Sequence, residues 1–298
     1  MHIAVVGAGS LGTLLGGLLA REHDVTLVGR EPHVGTVERE GLDVVGAESV
    51  HVDPAADTDP PDSADLALVA VKSYDTADAA AALTDCSLDA CLSVQNGMGN
   101  ESTLAAELDC PVLAGTCTYG ARLADPGRVE FTGRGEVVLG AREGGPSTLA
   151  DDVGAAFDAA GVETTVATDM PTRLWEKLAV NAAINATTAL ARVENGALTA
   201  GPGRELAADA ARETARVARE QGVNLSNERA ISLARRVSRD TAANRSSMLQ
   251  DVEAGRRTEI DAINGYVVEH GEGTVPVNET LTRLLRLWEA GDEGDEQS

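Results

Sequence analysis

The chain has 298 residues, with 48 Asp and Glu against 24 Lys and Arg, and a formal charge of −24. A surface this acidic repels nucleic acid and anionic membranes, and two Trp, three Tyr and two Phe leave little for stacking bases. No apolar run reaches the roughly 18 residues that a membrane-spanning helix needs.

The first half alternates strand and helix signals. Ile3–Val6 reads as a short apolar strand, Leu11–Arg21 as a helix and Val25–Val28 as a second strand. Short strands are expected at Val44–Val45 and Ser49–Val52, and Asp57–Asp65, with two prolines and four aspartates, as a loop. Leu66–Val71 is a buried strand, Ala77–Leu83 a helix, Ala90–Val94 a strand, Ser102–Leu108 a helix and Val112–Thr118 a strand. Val129–Phe131 and Glu136–Leu139 are predicted to pair as a hairpin, followed by a helix over Leu149–Ala160 and a strand over Val162–Val166. Strands alternating with helices predict a doubly wound parallel sheet. Beyond Asp169 the pattern becomes helical, with Ala, Leu, Arg and Glu dominant. Helices are predicted at Pro171–Arg192, Gly203–Gln221, Asn227–Thr241, Ser247–Glu253, Thr258–His270 and Glu279–Trp288. The expected division is an α/β domain at 1–168, an all-α domain at 169–290 and an acidic disordered tail at 291–298.

The opening HIAVVGAGSLG places Gly7, Gly9 and Gly12 in GxGxxG spacing between a strand and a helix. The first glycine permits a tight turn, the second lets a pyrophosphate approach the backbone, and the third lets helix and strand pack closely. Residues Gly7, Ala8, Gly9, Ser10, Leu11 and Gly12 therefore form a candidate dinucleotide cradle at a helix N-terminus, as in a Rossmann-type domain. The second strand ends Val28-Gly29-Arg30-Glu31. An NAD enzyme usually places an acid at this point, whereas the Arg30 guanidinium suits a 2′-phosphate and points to NADP. Glu31 also fits a helix-start acid. Two further strand ends carry Lys72 and Gln95-Asn96-Gly97 and feed the crevice where open parallel sheets bind ligands. Either could instead simply cap the sheet.

The sequence PTRLWEKLAVNAAINATTALAR spaces Lys177, Asn181 and Asn185 at i, i+4 and i+8, one face of a helix that is otherwise apolar. Solvated faces of this protein should carry Asp, Glu or Arg. Only Lys72 and Lys177 are lysines, and a buried amide needs partners, so a ligand-lined surface accounts for the stripe better than solvent does. Farther on, Ser247 stands at one helix start, where a cap is the simplest role. Glu259 follows Thr258 and could be a first-turn acid.

The segments GAGSLG, QNG, WEKLAVNAAINATTAL and SSMLQDVEAGRRTEIDAINGYV, in this order and spacing, resemble the ketopantoate reductase family. The resemblance implies a Rossmann domain followed by a helical domain, with the active site in the cleft between them. It also implies NADPH-dependent reduction of 2-dehydropantoate to (R)-pantoate on the way to pantothenate and coenzyme A. Carried over by motif, Lys177 is the catalytic lysine and Glu259 the active-site glutamate that also binds substrate. Asn181 and Asn185 bind substrate hydroxyls, Ser247 lies near the substrate carboxylate, Asn96 contacts substrate and cofactor, and Lys72 and Arg30 hold the ribose-phosphate end. A turn with Gly273, Pro276 and Asn278 also fits the pattern.

Two other readings stay open: a related dehydrogenase of 2-keto or 3-hydroxy acids, and a non-catalytic NADP sensor. The four cysteines lack CxxC spacing and the five histidines lack ligand spacing, so no metal is expected. With its first strand starting at His2, the protein is expected to be soluble and cytoplasmic, with a small molecule as its partner and a homodimer left open. Many acids with almost no lysine fit a halophilic cytoplasm, where about 1 M salt shrinks the Debye length to about 3 Å; an acidic proteome is the plainer alternative.

Overall fold

The computed structural model describes residues 1–295 and divides into two compact units, 1–95 with 99–170 and 96–98 with 171 onward. The first unit runs β1 (His2–Val6), α1 (Ser10–Leu19), β2 (Asp24–Val28), α2 (His33–Glu40), β3 (Leu42–Gly46), β4 (Val50–Val52), β5 (Ala55–Asp57) and β6 (Ser63–Val69). It continues through α3 (Thr76–Leu83), β7 (Ser87–Ser93), α4 (Asn100–Glu107), β8 (Val112–Cys117), β9 (Gly120–Asp125), β10 (Arg128–Gly133), β11 (Val137–Ala141), α5 (Thr148–Ala159) and β12 (Thr164–Val166).

Eight strands form one sheet in the order β12-β11-β8-β7-β6-β1-β2-β5. The strands from β5 to β8 are parallel, while β11 runs antiparallel to β8 and carries β12 parallel beside it. Ile3–Val6, Leu66–Val69 and Ala90–Ser93 are buried along their whole length, because a parallel sheet covered on both faces has no solvent side and takes continuous apolar runs.

A second sheet, ordered β4-β3-β10-β9, was not predicted. In it β10 pairs with β9 and with β3, whereas β11 belongs to the large sheet, so the expected hairpin of 129–131 with 136–139 does not form. Local alternation marked both segments as strands but carried no information on pairing across some ninety residues of chain. Helix α1 is built for burial on both sides. A Cβ on Gly16 would lie 2.4 Å from Leu27 Cδ2 of the large sheet, and one on Gly17 2.8 Å from Val44 Cγ2 of the small sheet. Buried His33 ties three elements together: its Nδ1 accepts from Gly127 N–H at 3.1 Å and its Nε2 lies 3.1 Å from Thr13 Oγ1. That geometry requires the neutral ring with its proton on Nε2. The Glu31 carboxylate lies over the first turn of α2, both oxygens 2.6 Å from a Cβ built on Gly35, as a helix-start acid should.

The second unit is helical: α6 (Met170–Ala191), α7 (Gly201–Glu220), α8 (Asn227–Asp240), α9 (Ser247–Glu253), α10 (Tyr266–His270) and α11 (Pro276–Asp295). Leu178, Ala179, Ala182, Ala183, Ile184 and Ala186 of α6 are buried with Ala210, Ala211, Ala215 and Val217 of α7 in one apolar core. The helix predicted over 258–270 is instead a bend at Glu259, a π-helical turn over Asp261–Gly265 and then α10. Residues 291–295, expected to be disordered, extend α11; the rest of that tail, 296–298, lies outside the described residues.

Candidate functional site

The three glycines of the opening loop are glycine for different reasons. Gly7 has φ +103°, and a Cβ there would stand 2.6 Å from the Val71 backbone nitrogen. A Cβ on Gly12 would stand 2.1 Å from the Gly7 carbonyl oxygen and 3.3 Å from Ala70 Cβ. Around Gly9 a Cβ would meet nothing within 4 Å among the described residues. The first two positions are closed by the chain's own packing; the third is open, and its missing side chain leaves room for a group from outside. The Gly7 and Ala8 amides both donate to Val28 O, at 2.9 and 3.0 Å, which pins the turn across the sheet. Ser10 Oγ accepts from Leu123 N–H at 3.0 Å, and Leu11 packs against the core. Gly9 caps α1 without a side-chain acceptor. The end of this ten-residue helix thus combines a positive dipole with an unobstructed backbone, a cradle that fits a diphosphate.

The neighbouring strand ends are organised by a residue whose role the sequence alone did not show. Gln95 is buried; its Nε2 donates to Val71 O at 3.1 Å and Thr76 Oγ1 at 2.7 Å, and its Oε1 accepts from Ser93 Oγ at 3.2 Å. It clamps the end of β7 to the turn that follows β6. Half-buried Lys72 begins that turn, with its carbonyl accepting from Asp75 N–H at 2.8 Å. The Arg30 side chain is 89% exposed, with one guanidinium nitrogen 3.3 Å from Asp75 Oδ2. The guanidinium expected to meet the ribose-phosphate end of a cofactor is therefore paired with a carboxylate.

Asn96 follows Gln95 directly, yet Asn96–Met98 belongs to the helical unit. Met98 N–H donates to Ala262 O at 3.0 Å, and Gly97, at φ +80°, sits so close that a Cβ would be 2.6 Å from Ala262 Cβ.

In the helical unit, burial deepens along the α6 stripe. Lys177 and Asn181 are half-buried and Asn185 is 6% exposed. Glu259, 5% exposed, is not a first-turn acid. The N–H and Oγ1 of Thr258 both donate to Glu289 Oε1 at 2.7 Å, which fixes the bend from which Glu259 projects. The cap of α9 is Ser246, whose Oγ accepts from Leu249 N–H at 3.1 Å and lies 2.7 Å from Thr188 Oγ1 of α6. Ser247 is the first helical residue and is exposed, so the sequence placed the cap one residue late. The structure thus anchors the start of α9 one turn beyond Asn185 on the same helix.

Asn195 was not singled out from sequence. It is buried, its Nδ2 donates to Thr241 Oγ1 at 2.9 Å, and its Oδ1 has no hydrogen-bond partner among the described residues. An Asn-Gly pair after a helix reads as a turn, and that signal hid the burial.

Family models fall on both halves of the chain: the ketopantoate reductase PanE/ApbA model on residues 3–144, and the ketopantoate reductase PanE/ApbA C-terminal model on 169–289. The protein belongs to the ketopantoate reductase family. A 2-dehydropantoate 2-reductase of Halobacterium salinarum is 44% identical, the match covering 96% of this chain and 98% of that one. A crystal structure of a PanE/ApbA family ketopantoate reductase from Ralstonia eutropha is 35% identical, with a TM-score of 0.90 over 98% of this chain and all of that one. The same fold recurs, at 23% identity and a TM-score of 0.91, in a D-mandelate dehydrogenase solved with NADH and anilino(oxo)acetate; the match covers 98% of this chain and 99% of that one.

Among the described residues, no three His, Cys, Asp or Glu side chains are grouped to hold a metal ion, and no helix is long and apolar enough to cross a membrane.

Proposed function

We propose that this ketopantoate reductase homologue reduces 2-dehydropantoate to (R)-pantoate with NADPH, in the cytoplasm, as a step toward pantothenate and coenzyme A. In this reading 1–168 is the cofactor-binding domain and 169–290 the substrate and catalytic domain. The carrying observation is the α6 stripe: one amine and two amides on one face of an apolar helix, in a chain that aligns over 96% of its length with a relative named for this reaction. The open space at Gly9 supports a diphosphate at the α1 N-terminus. Arg30 and Lys72 supply positive charge for the 2′-phosphate, which favours NADPH over NADH.

When bound, the nicotinamide supplies the hydride that the keto carbon receives. The work of the chain is at the oxygen. As negative charge grows there, the Lys177 ammonium stabilises it and then donates its proton. An arginine would supply the charge but hold its proton too tightly, which gives a chemical reason for a lysine in a chain with only two. The Glu259 carboxylate accepts from a substrate hydroxyl and orients the carbonyl toward Lys177. Asn181 and Asn185 read the remaining hydroxyls, Ser247 donates to the substrate carboxylate, and Asn96 bridges substrate and cofactor.

The test is a panel of 2-keto acids, following loss of NADPH absorbance at high salt. 2-Dehydropantoate should have the largest kcat/KM, and Lys177→Ala should cut kcat by at least about 10²-fold, the scale of a lost general acid, while NADPH still binds. A preference for another keto acid would make this a related dehydrogenase. Tight NADPH binding with no turnover on any of them would make it a sensor. Wild-type-like rates in Lys177→Ala would remove the assigned mechanism.

A further inference from the structure

The π-helical turn Asp261–Gly265 follows Glu259 directly, with Gly265 N–H reaching back to Ile260 O at 2.8 Å. Such wide turns are rare in helices and recur at functional sites. Three attachments converge on it. Ala262 holds the Asn96–Met98 segment, through Met98 N–H and the close approach of Gly97. The Glu259 carbonyl accepts from Ile263 N–H at 3.2 Å. Fully buried Asn264 donates through Nδ2 to Ala182 O of α6 at 3.0 Å and to Asn278 Oδ1 at 2.9 Å. Ala182 lies next to Asn181 and three residues before Asn185.

The anchor is itself anchored. Asn278 is fully buried, and its Nδ2 donates to Glu213 Oε2 at 2.8 Å and Ala210 O at 3.2 Å. The Glu213 carboxylate also accepts from the backbone N–H of Val277 and Asn278, at 3.0 and 2.9 Å, and so caps α11. Both acceptors facing Asn264 require its NH2 at that end of the amide, which orients the side chain without ambiguity. Among the described residues its buried Oδ1 has no hydrogen-bond partner. An apolar side chain of similar size could make neither donated bond and would take this donor away from both Ala182 O and Asn278 Oδ1.

We infer that Asn264 is a positioning residue of the reaction: by locking the π-helical turn to α6, it sets where Glu259 and Asn96 stand relative to Lys177, Asn181 and Asn185. This rests on the catalytic roles proposed above. Asn264 touches no reacting atom in this reading; it acts through the turn.

The test compares wild type with Asn264→Leu, which removes both donated bonds at similar volume. Asn264→Ser, which has room for a bridging water, serves if the leucine variant does not fold. NADPH titration of intrinsic tryptophan fluorescence counts folded, cofactor-competent sites, and rates are expressed per site. The expected result is unchanged NADPH affinity, a KM for 2-dehydropantoate raised about 10-fold and a kcat per site lowered about 10- to 100-fold, the scale expected when a reacting geometry slips. A merely structural role would lower the number of sites and leave KM and kcat per site as in wild type, and that result overturns the inference. Wild-type enzyme inert toward every keto acid overturns the reaction itself, and this inference with it.

Discussion

Gly9→Ala separates what the loop does for the fold from what it does for a ligand. Gly9 has φ −82° and ψ −164°, extended backbone that alanine adopts freely, and its Cβ would meet no atom within 4 Å. Losing a glycine from the unfolded chain stabilises by about 0.4–1 kcal/mol. Against this, alanine is a poorer helix cap than glycine, at a cost of roughly 0.5–1 kcal/mol. The two terms nearly cancel, so the ligand-free melting temperature should move by less than about 2 °C. In the proposed reading, however, the new methyl stands where the pyrophosphate approaches, and the expected loss is about 10- to 100-fold in NADPH affinity, or about 1.4–2.8 kcal/mol. Differential scanning fluorimetry reads both effects. With NADPH at about 100 times its wild-type Kd, wild type gains about 2.7 kcal/mol. At a Kd raised about 100-fold the same concentration contributes only about 0.4 kcal/mol. Most of the cofactor-induced rise in melting temperature should therefore disappear while the ligand-free melting temperature holds. A full NADPH-induced shift in Gly9→Ala would refute the placement of the diphosphate over this residue. Gly12→Ala is the contrast: its Cβ would fall 2.1 Å from a carbonyl oxygen, so the ligand-free protein itself should melt lower.

Arg30→Ala should weaken NADPH at least about 10-fold more than NADH, the scale of one lost charge-assisted contact; equal losses in KM for the two cofactors would overturn the NADP assignment. Asp75→Asn, which releases the Arg30 guanidinium from its carboxylate partner, should shift the cofactor ratio the opposite way, most visibly at low salt, and an unchanged ratio would show that the pair plays no part in selection. Burial holds His33 below the 6.5 of an ordinary imidazole. The unfolded chain therefore takes up this proton first, so the neutral-ring contribution is complete above that value and is lost as pH falls through the lowered one. Melting curves across this acidic range should show a shallower fall for His33→Gln than for wild type, and parallel curves would count against a buried neutral ring. At a formal charge of −24, raising KCl from about 0.1 M to about 1 M shrinks the Debye length from about 10 Å to about 3 Å, so the melting temperature should climb; a flat response would disconnect the acidity from a salty environment.

The parallel sheet, the nucleotide-type loop and the α6 stripe were all legible in the chain, because each is written in local spacing: apolar runs, GxGxxG, and polar residues at i, i+4 and i+8. What failed was non-local, off by a residue, or too weakly patterned to mark an element. Helix α2 begins at His33 behind a proline and has little apolar pattern of its own. Strand β9 was missed because Gly120–Asp125 is only half-buried and lacks the alternation that marks a strand. The expected single helix over 258–270 followed from continuous helical spacing, whereas the wide turn depends on Asn264, Ala262 and their distant partners.

Sequence by itself determined the pattern of polar groups, since a lysine among arginines, asparagines on an apolar helix and a glycine triplet are properties of side-chain type and period. Tertiary structure alone decided that β10 and β11 part to different sheets, that Gly97 and Met98 meet Ala262, and that Ser246, not Ser247, caps α9. Pairing of strands and partnering of buried amides are settled by whichever distant group leaves no polar atom stranded and no apolar surface wet, and that choice is made only when the whole chain has collapsed.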